Sequence, residues 1–212
     1  MADSSNTGDA SVDGVPADLA VAETRAWVRR AVIGLNLCPF ARAVDAKDQI
    51  RYVFSDATDP ETLLATLVVE LQRLADTDPQ VVDTTMLIHP RVLADFEDFN
   101  DFLELADAAV EDLDLDGEDL DLDGVLQVAS FHPRFQFADT EPDDITNATN
   151  RSPYPTLHLL REESVDRAVA AFPEAEAIFE RNMETLEKLG AKGWADVRKS
   201  WEDDAAAELG GG

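Results

Sequence analysis

The segment GVLQVASFHPR, residues 124–134, decides the fold prediction, because its apolar run stops abruptly at His132-Pro133-Arg134. The segment TTMLIHPR, residues 84–91, repeats this pattern earlier in the chain. Proline has no main-chain donor and cannot continue a β-ladder, so each run is predicted to be a buried strand that ends at its histidine. The two runs together predict a sheet whose rim carries two imidazole groups and two guanidinium groups.

Helical and strand-like segments alternate on both sides of these runs. Two further strands are predicted at residues 49–55 and 155–161, and helices at residues 17–38, 60–75, 92–111, 164–172 and 174–189. This alternation indicates crossover units, and hence an α/β fold. We expect a single compact domain whose four-stranded, mainly parallel or mixed sheet is covered by about five helices. The domain is predicted to span residues 17–194, after a disordered acidic N-terminus at 1–16 and before a weakly structured tail at 195–212.

The charge of the chain limits its partners. A formal net charge of −28 argues against nucleic acid and anionic membrane surfaces, because binding to phosphates requires lysine and arginine. No apolar run approaches the roughly 20 residues of a membrane helix. The N-terminal segment also lacks the basic and apolar regions of a secretory signal, so a cytoplasmic location is expected.

Arginine makes up 13 of the 17 basic residues. Its planar guanidinium binds carboxylate or phosphate through paired hydrogen bonds. A small anionic molecule is therefore the predicted partner, although arginines paired with the abundant carboxylates of the chain remain the alternative. The oligomeric state is not predicted.

The two His-Pro-Arg triplets indicate where chemistry would take place. In an open α/β sheet, ligands bind beyond the carboxyl ends of the strands, where both triplets are expected to emerge. His89 and His132 are therefore predicted to be the catalytic acid or base groups. The alternative for each histidine is structural, an imidazole that caps its strand by bonding a carbonyl of the following loop.

A third imidazole extends this hypothesis to a metal. His158 lies within PTLHLL, near the start of the last predicted strand. If His89, His132 and His158 meet, they would bind a divalent transition metal such as zinc. A core histidine bonded to the main chain is the alternative for His158.

The long segment 132–153 is rich in Asn, Asp, Thr and Pro, and a long irregular loop in a compact domain is usually functional or disordered. Anion-binding side chains are predicted in this loop and beside the histidines and Cys38: Arg42, Arg91, Arg134, Asn147, Asn150 and Arg151. Self-bonded turns are the alternative for the amides. Cys38, the sole cysteine, is a candidate catalytic participant or a small buried apolar residue.

The sequence EDLDLDG occurs in tandem at residues 111–117 and 118–124. Its spaced aspartates and glycine are similar to the beginning of an EF-hand loop, but the bidentate glutamate that such a loop requires at its twelfth position is missing. We interpret the repeat as a solvated loop.

Five segments are specific enough to indicate a family. They are RAVIGLNLCPFAR (30–42), LIHP (87–90), ASFHPRFQF (129–137), DDITNATNRSPYPTLHLLRE (143–162) and AIFERNMETLEKLG (177–190). Joined in this order they resemble the bacterial family known as domain of unknown function 1415, over roughly residues 20–194. The resemblance implies a soluble single-domain protein and carries no established activity, so no residue roles follow from it.

Three functional hypotheses follow from the residues. The first is a small-molecule enzyme that acts on an anionic substrate at one rim of the sheet, with or without a metal. The second is a non-catalytic module that binds an anion or a metal with the same residues. The third is a protein-interaction or assembly factor in which the histidines are structural.

Overall fold

The computed structural model describes residues 14–111, 125–171 and 177–211, and the main chain of residues 114–115 and 118–119. The helices are α1 (Ala17–Trp27), which continues as a π-helical segment (Val28–Ile33), α2 (Ala41–Ala46), α3 (Pro60–Asp76), α4 (Phe96–Glu111), a 3₁₀ helix (Ile145–Asn150), α5 (Glu162–Ala170) and α6 (Ile178–Gly210). The strands are β1 (Ile50–Phe54), β2 (Thr84–Ile88), β3 (Asp114–Leu115), β4 (Glu118–Asp119), β5 (Leu126–Phe131) and β6 (Thr156–Arg161).

Four strands form the central sheet, in the order β1-β2-β6-β5. β1 and β2 are parallel, whereas β6 is antiparallel to both of its neighbours. β1, β2 and β5 therefore run in one direction, and β6 returns between β2 and β5. The predicted α/β class is confirmed, and the sheet is mixed.

Two apolar clusters cover the two faces of the sheet. α3 and α4 pack on the first face, which carries Leu87, Leu157 and Leu159. The other face carries Met86 and packs against α1, the π-helical segment and α6. Side chains alternate between the faces along each strand, so this division also determines which face every rim residue approaches.

Local capping positions α3 where the sequence predicts it. The carboxylate of Asp59 accepts a hydrogen bond from the Thr62 N–H at 2.9 Å, and Pro60 occupies the first turn. Proline is favoured there because the first helical N–H groups have no intrahelical acceptor. α4, in contrast, begins at Phe96 instead of residue 92, because Leu93 has a left-handed φ of 57° that no helix contains.

The C-terminal segment differs from the predicted tail at residues 195–212. α6 continues to Gly210 after a break at Gly190, where a φ of 67° suits glycine. Trp201 and Ala205 are buried, and Trp201 packs in the same cluster as Trp27. The sequence signal for a helix was weak here. A helix that buries only one narrow face needs few apolar residues, and these are widely spaced along the chain.

Some predictions fall on residues outside the described part of the chain. These are the disordered N-terminus over residues 1–13 and the side chains of the EDLDLDG repeats. Within the repeats, β3 and β4 pair antiparallel, with Asp114 opposite Asp119. Among the described residues, no helix has the length and apolar character needed to cross a membrane.

Candidate functional site

The structure brings His89 and His132 to one rim of the sheet. The last residues of β2 and β5, Ile88 and Phe131, both pair with Thr156 at the start of β6. The histidines that follow these strands therefore lie on either side of the same strand end. The structure thus places both triplets at one rim of the sheet, with both imidazoles buried.

An aromatic ring of α4 joins the two imidazoles. The centroid of the Phe99 ring lies 5.6 Å from that of His89 and 5.1 Å from that of His132, with interplanar angles of 27° and 29°. Phe96 adds a second ring, 5.4 Å from His132. His89 and Phe99 are fully buried, and His132 is 1% exposed. The helix predicted over residues 92–111 contains Phe99, but no sequence signal indicated its contact with both histidines.

Hydrogen bonds define the tautomer of each imidazole. His132 Nε2 lies 3.2 Å from the Leu93 carbonyl, and its Nδ1 accepts the Arg134 N–H at 3.0 Å. A carbonyl only accepts, so the proton of His132 resides on Nε2. His89 Nδ1 lies 3.2 Å from the Val92 carbonyl, which places its proton on Nδ1. His89 Nε2 is then an unprotonated acceptor, and it is buried without a hydrogen-bond partner.

The two triplets hold one loop in place. The carbonyls of Val92 and Leu93 accept from the imidazoles, and the Arg134 guanidinium donates to the Ala94 carbonyl. Asp95 lies 3.4 Å from the same guanidinium. These bonds stabilise the left-handed conformation of Leu93 immediately before α4 begins. Both imidazoles thus bond carbonyls of the loop after β2, which is the strand-capping role considered above as the alternative to catalysis.

Burial also determines the charge of the imidazoles. Desolvation lowers the pKa of His89 to about 4 and that of His132 to about 4, against the weaker opposing effect of the carbonyl hydrogen bonds. Both side chains are therefore neutral at pH 7. A neutral imidazole at this rim donates or accepts a hydrogen bond, but it contributes no positive charge for an anion.

His158 does not join the other two histidines. It packs against Phe131 on the opposite face of the sheet, with ring centroids 5.7 Å apart. Its Nε2 lies 2.8 Å from Thr84 Oγ1, and that hydroxyl donates to the Leu159 carbonyl at 2.6 Å. The three imidazoles predicted to bind zinc are therefore divided by the sheet. Among the described residues, no group of three or more His, Cys, Asp or Glu side chains could hold a metal ion.

The Asn147 side chain forms its hydrogen bonds within the long loop. Its Oδ1 accepts from the Phe137 N–H at 2.9 Å and from Thr140 Oγ1 at 2.9 Å, and its Nδ2 donates to the Glu141 carbonyl at 2.9 Å. It is fully buried, so no polar atom of this side chain remains for a ligand. The Asn150 side chain, in contrast, makes no hydrogen bond to any residue that the structure describes.

This contrast predicts different costs for two neighbouring amides. Asn147→Ala should lower the free energy of unfolding by about 2–3 kcal/mol, because it removes the three hydrogen bonds that this fully buried side chain makes within the loop. Asn150→Ala should change it by less than about 0.5 kcal/mol, as for a residue without structural bonds. Urea unfolding of both variants measures the difference, and equal losses would contradict the assignment of Asn147 as the organising residue.

Arg151 also belongs to the loop framework. Its Nε donates to the Phe135 carbonyl at 3.0 Å and its Nη2 to the Pro142 carbonyl at 2.6 Å. Burial lowers its pKa from the usual value of an arginine, and the nearby Asp144 opposes this effect. Arg151 therefore connects the end of the loop to two earlier loop segments through these carbonyls.

Cys38 and Arg42 lie apart from the histidines in their contacts. Cys38 follows the turn after the π-helical segment. Burial raises the pKa of its thiol, and hydrogen bonds from the main-chain N–H groups of Phe40 and Ala41 only partly oppose this effect. A raised pKa disfavours the thiolate that a nucleophile requires. Arg42 donates to the Ile33 carbonyl at 3.4 Å. Neither side chain contacts an imidazole in the described part of the chain.

Arg91 is the one arginine among the predicted site residues that makes no hydrogen bond or ion pair to a described residue. All 13 arginines of the chain fall within the described residues, and the other 12 each have a hydrogen bond or an ion pair. The Nε of Arg91 is buried without a partner, and its guanidinium carbon lies 5.7 Å from the centroid of the Phe54 ring. Arg91 thus lies where β1 and β2 end, with an unpaired positive charge.

Comparison with known proteins identifies one relationship. The family model described as "Protein of unknown function (DUF1415)" matches residues 19–196, which is most of the chain. No curated protein and no solved structure matches the chain.

Proposed function

The chain belongs to the family of proteins of unknown function DUF1415, and within that family we propose that it binds a small anionic molecule at the rim where β1 and β2 end. Arg91 is the principal contact. The observation that carries the proposal is the unpaired guanidinium of Arg91 in a chain with a net charge of −28.

An unpaired arginine is unexpected in this chain. Carboxylates outnumber basic residues by 45 to 17, so an arginine that served only stability would readily find one. A partly buried guanidinium without acceptors pays for lost hydration and gains no hydrogen bond in return. A bound carboxylate or phosphate removes that cost, because its oxygens match the planar fork of the guanidinium.

The surroundings of Arg91 prepare it for such a ligand. The Phe54 ring supports the guanidinium by a cation–π contact, which limits its orientations before an anion arrives. The imidazoles of His89 and His132 hold the segment that follows Arg91 through the Val92 and Leu93 carbonyls. In this proposal the histidines position the loop that carries the anion-binding side chain, and catalysis is not required.

A second candidate function, acid–base catalysis on the bound anion, is favoured by one observation. His89 Nε2 is an unprotonated buried acceptor with no hydrogen-bond partner. In this candidate the bound molecule would donate a hydrogen bond to that nitrogen. His89→Asn, whose amide nitrogen can still donate to the Val92 carbonyl from near the position of Nδ1, would then abolish turnover and leave anion binding by Arg91 intact, whereas pure binding predicts no turnover in either protein.

A thermal-shift panel tests the binding proposal. The probes are inorganic phosphate, pyrophosphate, citrate, succinate and acetate. A probe present at 100 times its dissociation constant stabilises the fold by about 2.7 kcal/mol, which raises Tm by about 5–10 °C for a chain of this size. Arg91→Gln should remove that shift, because the amide keeps polarity but not the charged fork.

The control is Arg198→Gln, which removes an exposed arginine paired with Glu202 on α6. It should respond to the same probe as the unmodified protein. A panel in which no probe raises Tm, or in which Arg91→Gln keeps the full shift, would contradict anion binding at Arg91.

A further inference from the structure

The outer edge of β1 presents a row of unpaired main-chain groups. β1 is an edge strand, hydrogen-bonded to β2 alone. The Ser55 N–H donates to the Ile88 carbonyl, and the Gln49 carbonyl accepts from the Thr84 N–H. Alternate residues bond the neighbour in a parallel ladder, so the odd-numbered residues of β1 face β2.

The even-numbered residues of β1 consequently face outward. The N–H and C=O groups of Ile50, Tyr52 and Phe54 have no hydrogen-bond partner among the described residues. An unpaired edge is a template for another strand, and peptides that bind in this way receive most of their affinity from main-chain hydrogen bonds.

A cleft of about 560 Å³ accompanies this edge. It is lined by residues of β1, by one arginine each of α1 and the π-helical segment, and by acidic side chains that include Asp48 and Glu208. The volume lies within the range of ligand sites, roughly 300–1,000 Å³. It provides room beside the strand for the side chains of an added segment.

Ion pairs within the chain already neutralise the arginines beside this cleft. Arg25 pairs with Glu208, Arg29 with Asp45, and Arg51 of β1 with Glu70.

Two aspartates flank β1 and remain unpaired. Asp48 and Asp56 are exposed, and neither makes an ion pair or a side-chain hydrogen bond to any described residue. They are eight positions apart, which corresponds to roughly 26 Å of extended chain at 3.3 Å per residue. An edge that ends in an unpaired aspartate on both sides, in a chain of net charge −28, is complementary to a basic partner.

We propose that β1 binds an extended basic peptide segment by strand addition, with its main chain on the outward groups of Ile50, Tyr52 and Phe54 and its cationic side chains toward Asp48 and Asp56. The two proposals share Phe54, whose main chain would bind the peptide and whose ring lies against the Arg91 guanidinium, but strand addition does not require an anion at Arg91. A second copy of the chain is a poorer occupant, because the net charge of −28 on each copy opposes self-association.

Amide hydrogen exchange, followed by NMR, tests the proposal with a defined probe. The probe is an eight-residue blocked peptide of alternating threonine and lysine, and its matched control replaces every lysine with glutamate. The N–H groups of Ile50, Tyr52 and Phe54 should exchange quickly in the free protein, whereas those of Arg51 and Val53 are protected. The lysine peptide should slow the three outward amides at least about tenfold, which is the effect of burying a main-chain donor in a ladder.

Each other outcome overturns the proposal. No slowing at millimolar lysine peptide excludes strand addition by a basic segment. Equal slowing by the glutamate peptide excludes the charge preference. Protection that appears without peptide and increases with protein concentration assigns the edge to a second copy.

Single substitutions test the role of the flanking aspartates. Asp48→Asn and Asp56→Asn should each weaken binding of the lysine peptide about threefold, the effect of one exposed ion pair. Asparagine tolerates the left-handed φ of 57° at Asp48, so the turn is retained. The control is Asp101→Asn on α4, another exposed aspartate, which should leave the dissociation constant unchanged. Equal effects of all three substitutions would show that the peptide responds only to the overall negative charge of the protein, and would overturn the assignment to Asp48 and Asp56.

Discussion

Acidification from pH 7 to pH 4 is expected to lower the free energy of unfolding by several kcal/mol, because three buried imidazoles must stay neutral in the fold. Burial lowers the pKa of His89, His132 and His158 to about 4 in each case. In the unfolded chain each returns to about 6.5. The unfolded chain therefore binds more protons between these two values.

The sign of the effect follows from proton linkage. A histidine whose pKa is lowered in the fold keeps the free energy of unfolding at its full value above pH 6.5. That free energy decreases as the pH falls toward 4, because the unfolded chain then binds the additional proton. Each histidine is worth on the order of 3 kcal/mol over this window. Progressive neutralisation of the carboxylates acts in the opposite direction, because it reduces repulsion in a chain of net charge −28.

Urea unfolding at several pH values between 7 and 4.5 measures this linkage. His158→Gln is the matched variant, because its amide still donates to Thr84 Oγ1 but does not titrate. It should remove about a third of the pH dependence, since three similar imidazoles share it. Equal pH dependence of the unmodified protein and His158→Gln would show that His158 is not held neutral, because carboxylate neutralisation affects both proteins alike.

Phe99→Ala is expected to have the largest effect of any single substitution at the rim. Its ring is fully buried and packs against both imidazoles. Removing a buried phenylalanine ring costs about 3–5 kcal/mol, through lost apolar burial and the cavity that remains. In a chain of this length the corresponding decrease in Tm is on the order of 10 °C.

The control for this prediction is Phe179→Ala, since Phe179 is 49% exposed. It should cost less than about 1 kcal/mol, as for surface substitutions away from the core. NMR titration supplies a second readout, because water admitted to the cavity in Phe99→Ala should raise the pKa of His89 and His132 toward 6.5. A loss of stability below 1 kcal/mol with unchanged histidine pKa values would contradict the joining role of Phe99.

The consequences for function lie mainly with Arg91. The repeated triplets suggested acid–base chemistry, but in the structure both nitrogens of His132 and one nitrogen of His89 bond main-chain groups. What remains at the rim is a positive charge without a partner and one free imidazole nitrogen. This combination favours recognition of an anion over a pair of catalytic histidines.

The amino-acid sequence by itself determined the features that depend on near neighbours along the chain. The apolar run of β2 and its stop at Pro90 defined a strand end, and Asp59 with Pro60 defined a helix start. The convergence of His89 and His132 also followed from the sequence, because strands connected by crossover helices run in the same direction. Each inference needed only local sterics and the connectivity of the chain.

Only the tertiary structure decided which polar groups are already satisfied. His132 bonds the Leu93 carbonyl across 39 sequence positions, and His158 turns away from both other imidazoles because of its register in β6. The absence of a partner for Arg91 likewise depends on every acceptor that folding brings near it. Such partners come from distant segments, and desolvation sums over all packed elements, so neither can be read from local sequence.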